Sequence, residues 1–246
     1  MIKLVKFICV TIFTANFFGA SNVSLAENAK KGLQFAVNGE YLQAVDIWLP
    51  LAEKGDAEAQ YYMGVVYKDG LGVETNYDKF RYWTSRSAFQ GSPSAMFNLG
   101  IMYEYSLGTN EDKNKAFLWY SRAAQEGDVE ASVRAGRMIR GEDYLCEDQL
   151  HCDYIVEYYY RPAAEQANTE AMVYMANILL IKQNYIENIE ALGWLMIAQR
   201  LGVKDEFLNS SIAKIISEFR NRDVFPYAEQ FSKDCLAKSL KECGRL

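Results

Sequence analysis

Residues that could perform acid–base or metal chemistry are few in this sequence. His151 is the single histidine among 246 residues, and it lies beside Cys152 with Asp148 and Asp153 nearby. A catalytic histidine needs a nucleophile and an orienting acid within reach, and no serine or cysteine stands in a recognisable nucleophile motif. The sequence also lacks an HExxH motif, a pair of CxxC motifs and a glycine-rich phosphate loop. We therefore expect no catalytic residue, no metal and no cofactor.

The N-terminal segment has the features of a secretory signal peptide. Lys3 and Lys6 precede an apolar run over residues 7–20, which is too short to span a bilayer comfortably. Ser24 and Ala26 place small residues at the −3 and −1 positions of a cleavage site. We expect cleavage after Ala26, a periplasmic or secreted protein, and no integral membrane segment after cleavage; an uncleaved anchor is the alternative.

The four cysteines outside the signal peptide favour disulfides. They are Cys146, Cys152, Cys235 and Cys243, and an even number in an exported chain indicates two bridges. Three pairings are possible, and we expect Cys146–Cys152 and Cys235–Cys243 because short loops close most easily. A disulfide needs Cα atoms within about 4.4–6.8 Å, so the chain must turn between Cys235 and Cys243. Metal binding by these cysteines is the alternative.

The charge of the chain excludes one class of partner. The net charge is −6, and removing residues 1–26 removes two lysines and no acid, which brings it to −8. General binding to nucleic acid or to anionic membranes needs a basic surface. We therefore expect a protein partner rather than nucleic acid.

The body of the chain repeats. Small residues recur at a constant step of 36 positions in two columns: Ala59, Ala95 and Ala131, and Gly64, Gly100 and Gly136. Each unit contains two helix-compatible segments, with Asn76 and Asp112 as N-caps of second helices. A glycine inside a helix costs about 1 kcal/mol relative to alanine, so we expect the paired helix to approach closely there.

We divide the chain after the signal peptide into a partial unit, four full units and C-terminal capping helices: 27–55, 56–91, 92–127, 128–167, 168–202 and 203–246. Pro50 and Pro162 fall where a second helix should continue, and we expect a kink or a late helix start at each. Residues 212–219 predict one amphipathic helix, and residues 227–238 predict another. Of Tyr158, Tyr159 and Tyr160, at least one should belong to the core.

The two most regular units carry a family resemblance. The first contains Met63-Gly64, Tyr67, Gly70-Leu71-Gly72-Val73, Asp78-Lys79, Trp83 and Gly91; the second contains Leu99-Gly100, Tyr103, Gly108, Lys115-Ala116, Trp119-Tyr120, Ala123-Ala124 and Gly127. These motifs resemble the Sel-one-like repeat family, a branch of the tetratricopeptide-like solenoids, over residues 29–202. The resemblance implies an all-α fold, a right-handed α/α superhelix of helix hairpins. The third unit departs from it by a longer loop at 141–152, and the fourth lacks the loop glycines.

The resemblance also implies a binding face. In the tetratricopeptide register the first helix of each hairpin lines the concave face. The residues that this register assigns to the concave face are Tyr61, Val65, Lys68, Phe97, Ile101, Glu104, Tyr105, Arg137, Arg140, Val173 and Asn177. Arg134, Arg137 and Arg140 share one helix flank, and guanidinium groups suit carboxylates on a partner. The alternative is that these arginines balance neighbouring acids such as Glu130.

Three functions compete at this point. The first is an exported, non-enzymatic scaffold that binds a partner protein through the concave face. The second is a periplasmic immunity protein against a secreted antibacterial effector such as a type VI lipase, as known for similar repeat proteins. The third is a cell-wall or β-lactam-related enzyme, as linked to cysteine-rich family members. The chain departs from those members because its first two full units contain no cysteine.

Overall fold

The computed structural model describes residues 29–140 and 149–243, except the side chains of Arg140, Gln149 and Cys152. The expected signal peptide and the expected Cys146–Cys152 pair therefore lie outside the described residues. The described residues are helical and contain no β-strand, which confirms the all-α class. They form two compact units, one ending at Trp119 and the other beginning at Tyr120.

The helices follow one another with short connections. In chain order they are α1 (29–37), α2 (Tyr41–Glu53), α3 (Ala57–Asp69), α4 (Tyr77–Phe89), α5 (Pro93–Glu104), α6 (Lys113–Gln125), α7 (Val129–Arg140), α8 (Gln149–Ile155), a π-helix (Val156–Tyr160), α9 (Arg161–Glu165), α10 (Thr169–Ile181), α11 (Tyr185–Leu201), α12 (Glu206–Phe219), α13 (Phe225–Ala237) and a 3₁₀ turn (Leu240–Glu242). None of the described helices is both long enough and apolar enough to cross a bilayer.

One tight turn recurs between successive hairpins. At Gly55–Asp56 the Asp56 N–H donates to the Leu51 carbonyl and the Gly55 N–H to the Ala52 carbonyl, both at 3.1 Å. This is the Schellman pattern that ends a helix. The Asp56 carboxylate then accepts from the Ala59 N–H at 2.7 Å and caps α3, so one residue both ends a helix and begins the next. The same backbone bonds recur at three further turns: Gly91–Ser92, Gly127–Asp128 and Ala167–Asn168.

A second loop type recurs inside the two regular hairpins. The Asn76 N–H donates to the Tyr67 carbonyl at 2.8 Å, and the Asp112 N–H donates to the Tyr103 carbonyl at 3.0 Å. The side chain of Asn76 accepts from the N–H of Lys79 at 2.9 Å. The side chain of Asp112 likewise accepts a hydrogen bond from the backbone N–H three residues further along the chain. Both predicted N-caps are confirmed.

The recurring glycines mark close helix contacts, as the sequence predicts. A Cβ added at Gly64 would collide with the Thr84 hydroxyl, and one at Gly136 would lie 2.7 Å from the Tyr160 ring. Real Cβ atoms do not approach other heavy atoms this closely, so the neighbouring helix would have to move. Glycine at these positions therefore sets the distance between the paired helices.

Neither proline marks a late helix start. The helix α2 runs through Pro50 to Glu53, so the expectation of a late start is wrong there. Pro50 lies in the last turn of the helix, where the missing N–H removes a single hydrogen bond. Pro162 is the second residue of α9, which continues α8 and the π-helix without a break from Gln149 to Glu165, so a late helix start is wrong there too.

The C-terminal segment contains the two predicted helices, α12 and α13. Cys235 in α13 is bonded to Cys243, with the two Cα atoms 5.2 Å apart. The chain leaves the helix at Lys238 and turns back through the 3₁₀ turn. The expected Cys235–Cys243 pairing and the turn that it requires are confirmed.

Candidate functional site

One cleft of the second unit lies among α7, α10 and α12. Its volume is about 930 Å³, and the turns at 167–168 and 202–205 also line it. The helices α7 and α10 are first helices of successive hairpins. Arg137, Val173 and Asn177, which the resemblance places on the binding face, all line this cleft.

The floor of the cleft is apolar and its rim is mixed. Val173 and Ile212 are buried, and the half-buried Ile215 lies beside them. Phe207, at the start of α12, is 79% exposed at the edge. An apolar floor with polar groups at the edge is the usual composition of a binding cleft.

Two of the three arginines of α7 are already paired within the chain, and the side chain of the third, Arg140, lies outside the described residues. Arg137 lies 3.5 Å from Glu170 across the cleft, and its guanidinium lies 5.9 Å from the centre of the Tyr174 ring. Arg134 lies 3.6 Å from Glu130 on the same helix. These contacts fit the alternative that the arginines balance neighbouring acids, so the strip is not a row of unpaired cations.

The predicted residues of the first unit do not form one cluster. Tyr61 lines a smaller cleft of about 390 Å³ with Glu58, Gln90 and Ser92. The remaining members line neither cleft, namely Val65, Lys68, Phe97, Ile101, Glu104 and Tyr105. They lie on α3 and on α5 with its C-cap, and all but the exposed Tyr105 are half-buried.

A buried ion cluster was missed by sequence reasoning. The Arg161 guanidinium donates to Glu190 at 2.7 Å and to Glu157 at 3.1 Å, and Arg161 and Glu190 are both more than nine-tenths buried. Burial lowers the pKa of Arg161, but the two carboxylates raise it more, so the net shift is upward. The available signal was Glu190 itself, a lone acid in the apolar run of α11.

His151 lies half-buried on α8. Within 29–140 and 149–243, no group of three or more His, Cys, Asp or Glu residues could hold a metal ion. Of the three consecutive tyrosines, Tyr159 and Tyr160 are buried, which confirms that at least one belongs to the core.

Comparison with known families identifies the repeats. Residues 57–92 and 93–128 each match the Sel1 repeat. The chain is a Sel1-like repeat protein. In this Sel1-like repeat protein the larger cleft lies C-terminal to both matched repeats.

Two solved structures share the fold of this Sel1-like repeat protein. A Sel1 repeat protein from Oxalobacter formigenes is 24% identical with a TM-score of 0.61, over 85% of this chain and 75% of that one. The protein c5321, a protective antigen of uropathogenic Escherichia coli strains with an SLR fold, is 25% identical with a TM-score of 0.67. That match covers 91% of this chain but spans half of c5321. No curated protein matches the chain.

Proposed function

We propose that this Sel1-like repeat protein is an exported, non-enzymatic scaffold that binds a partner protein through the cleft among α7, α10 and α12. Sel1 repeat proteins are typically protein–protein interaction scaffolds. The observation that carries the proposal is the cleft of about 930 Å³ containing both Arg137 and Asn177. Export is supported by the signal-like residues 1–26 and by the Cys235–Cys243 disulfide.

The chemistry of the cleft suits a protein segment. Its apolar floor can take an aliphatic or aromatic side chain, and Asn177 offers both a donor and an acceptor to a peptide backbone. Phe207 and Tyr174 add aromatic surface, which is enriched at interfaces. The Arg137–Glu170 pair at the rim can exchange partners when a charged side chain binds.

Site-specific photocrosslinking tests the proposal. A photoreactive residue replaces Asn177 in one variant and Ile181 in a matched control, because Ile181 lies one turn further along α10, is exposed, and does not line the cleft. The scaffold proposal expects one defined crosslinked protein from position 177, reduced by Arg137→Glu. Equal products from both positions would contradict it.

The immunity alternative differs in the occupant, which would be a secreted antibacterial effector. It rests on the negative charge of the chain and on the resemblance. Adding purified protein to the effector encoded beside it decides this alternative: inhibition of the effector at equimolar protein supports immunity, and unchanged effector activity refutes it. The enzyme alternative is tested separately by turnover of a fluorescent penicillin.

A further inference from the structure

A second surface of the protein lies on α4, which is the second helix of its hairpin. No residue of α4 lines the cleft. Tyr82, Arg86 and Phe89 follow one another at helical spacing and form an exposed stripe. Tyr82 is 52% exposed and Phe89 is 77% exposed. Two exposed aromatic rings therefore flank the exposed Arg86 on one face of α4.

The stripe is held in place by its own contacts. The Arg86 guanidinium lies 5.5 Å from the centre of the Tyr82 ring and donates to the Tyr82 hydroxyl at 3.3 Å. The Phe89 ring packs edge-on against Trp119 with centroids 5.8 Å apart. Such contacts reduce the freedom that binding would otherwise remove, which favours association.

The charge of the stripe is not compensated within the described part of the chain. Among the described residues, Arg86 has no carboxylate within ion-pair distance, whereas Arg81 on the same helix is paired with Asp78 at 3.1 Å. The helix α4 contains three basic residues and one acidic residue in a chain of net charge −6. The stripe is thus a local basic and aromatic surface on an acidic protein.

We infer that the stripe of Tyr82, Arg86 and Phe89 is a docking surface for an acidic segment of a partner protein, in which a carboxylate pairs with Arg86 and an apolar side chain packs on Phe89. Charge complementarity selects an acidic partner, since the Arg86 guanidinium can accommodate a carboxylate in a forked hydrogen bond. Tyrosine and arginine are the residue types that contribute most at interfaces.

Selection from a displayed library of random peptides tests the inference. The library is selected on purified wild-type protein after depletion on the Arg86→Glu variant. We expect peptides enriched in Asp or Glu together with Leu or Phe. Their affinity should fall about thirtyfold for Arg86→Glu, a change typical of a central interface residue, and should also fall for Phe89→Ser.

Arg200→Glu is the matched control because Arg200, like Arg86, is an exposed arginine in the last turn of a helix. Arg200→Glu changes the net charge and the end of a helix in the same way as Arg86→Glu. The affinity for the selected peptides should nevertheless remain at the wild-type value. Asn177→Arg should likewise have no effect, which separates this surface from the cleft. The inference is overturned by peptides without acidic enrichment, by equal losses for Arg86→Glu and Arg200→Glu, or by no peptide surviving depletion.

Discussion

The Arg161 guanidinium and the Glu190 carboxylate form a buried ion pair at 2.7 Å between the short helix α9 and the long helix α11. The indole N–H of Trp194 also points to Glu190, at 3.4 Å. Glu157, on the π-helix, satisfies the other side of the guanidinium. The three charged residues therefore join three elements of the second unit, the π-helix, α9 and α11.

Removing one member of this pair should destabilise the second unit strongly. For Glu190→Ala we expect a loss of about 3–5 kcal/mol in the free energy of unfolding, because the buried guanidinium loses its partner. Glu157→Ala, at a more exposed position, should cost about 1 kcal/mol or less. Urea unfolding followed by circular dichroism measures both. Equal costs for the two variants would contradict the burial argument.

Ala167 occupies a left-handed conformation that its equivalents fill with glycine. Its φ is 65°, and Gly127 at the equivalent turn has a φ of 89°. Ala167→Gly should stabilise the protein by about 0.5–1 kcal/mol, because glycine adopts positive φ without steric cost. Gly127→Ala should destabilise by about 1 kcal/mol, and an added Cβ there meets no other atom. Urea unfolding should show changes of opposite sign in the free energy of unfolding of the two variants. Changes of the same sign would refute the conformational argument.

The capping carboxylate of Asp128 should make stability depend on pH. Burial raises its pKa, although the helix N–H groups that it accepts from lower it in part. In the native state the carboxyl binds its proton more tightly than in the unfolded chain, so its contribution falls as pH rises from the unfolded value through the raised native value. Asp128→Asn keeps the cap and removes the titration.

The advantage of Asp128→Asn over wild type should therefore grow between about pH 3 and about pH 7. The urea unfolding midpoints of the wild type and of Asp128→Asn, each determined at both pH values, measure this advantage. Asp128→Ala removes the cap as well as the titration, so it should be about 1 kcal/mol less stable than Asp128→Asn at both pH values. An advantage for the asparagine variant that shrinks as pH rises would contradict the assigned direction.

The Cys235–Cys243 disulfide should stabilise the C-terminal segment. In the chain-entropy relation a loop this short contributes about 2–3 kcal/mol. Cys243→Ser should lower the free energy of unfolding by that amount relative to the wild type, as measured by urea unfolding under non-reducing conditions. An unchanged free energy of unfolding in Cys243→Ser would contradict the prediction.

The repeat and its caps were predictable because they depend on local chemistry. Asn76 and Asp112 are N-cap residue types that predict helix starts, and the recurring glycines predict close contacts between helices. Arg161 and Glu190 could not be paired in advance, because their contact joins residues 29 positions apart through the geometry of the π-helix. Arg137 and Asn177, which the register assigns to the binding face, line one cleft, but the register gave no place to Phe207 of α12 or to Lys204 in the turn before it, which line the same cleft.

Hydrogen–deuterium exchange on the isolated protein and on its complex with the partner captured at position 177 tests the central claim most directly. The account predicts slower exchange on binding within α7, α10 and α12, and unchanged exchange in α13. Protection confined to other helices, with α10 and α12 exchanging as in the free protein, would contradict it.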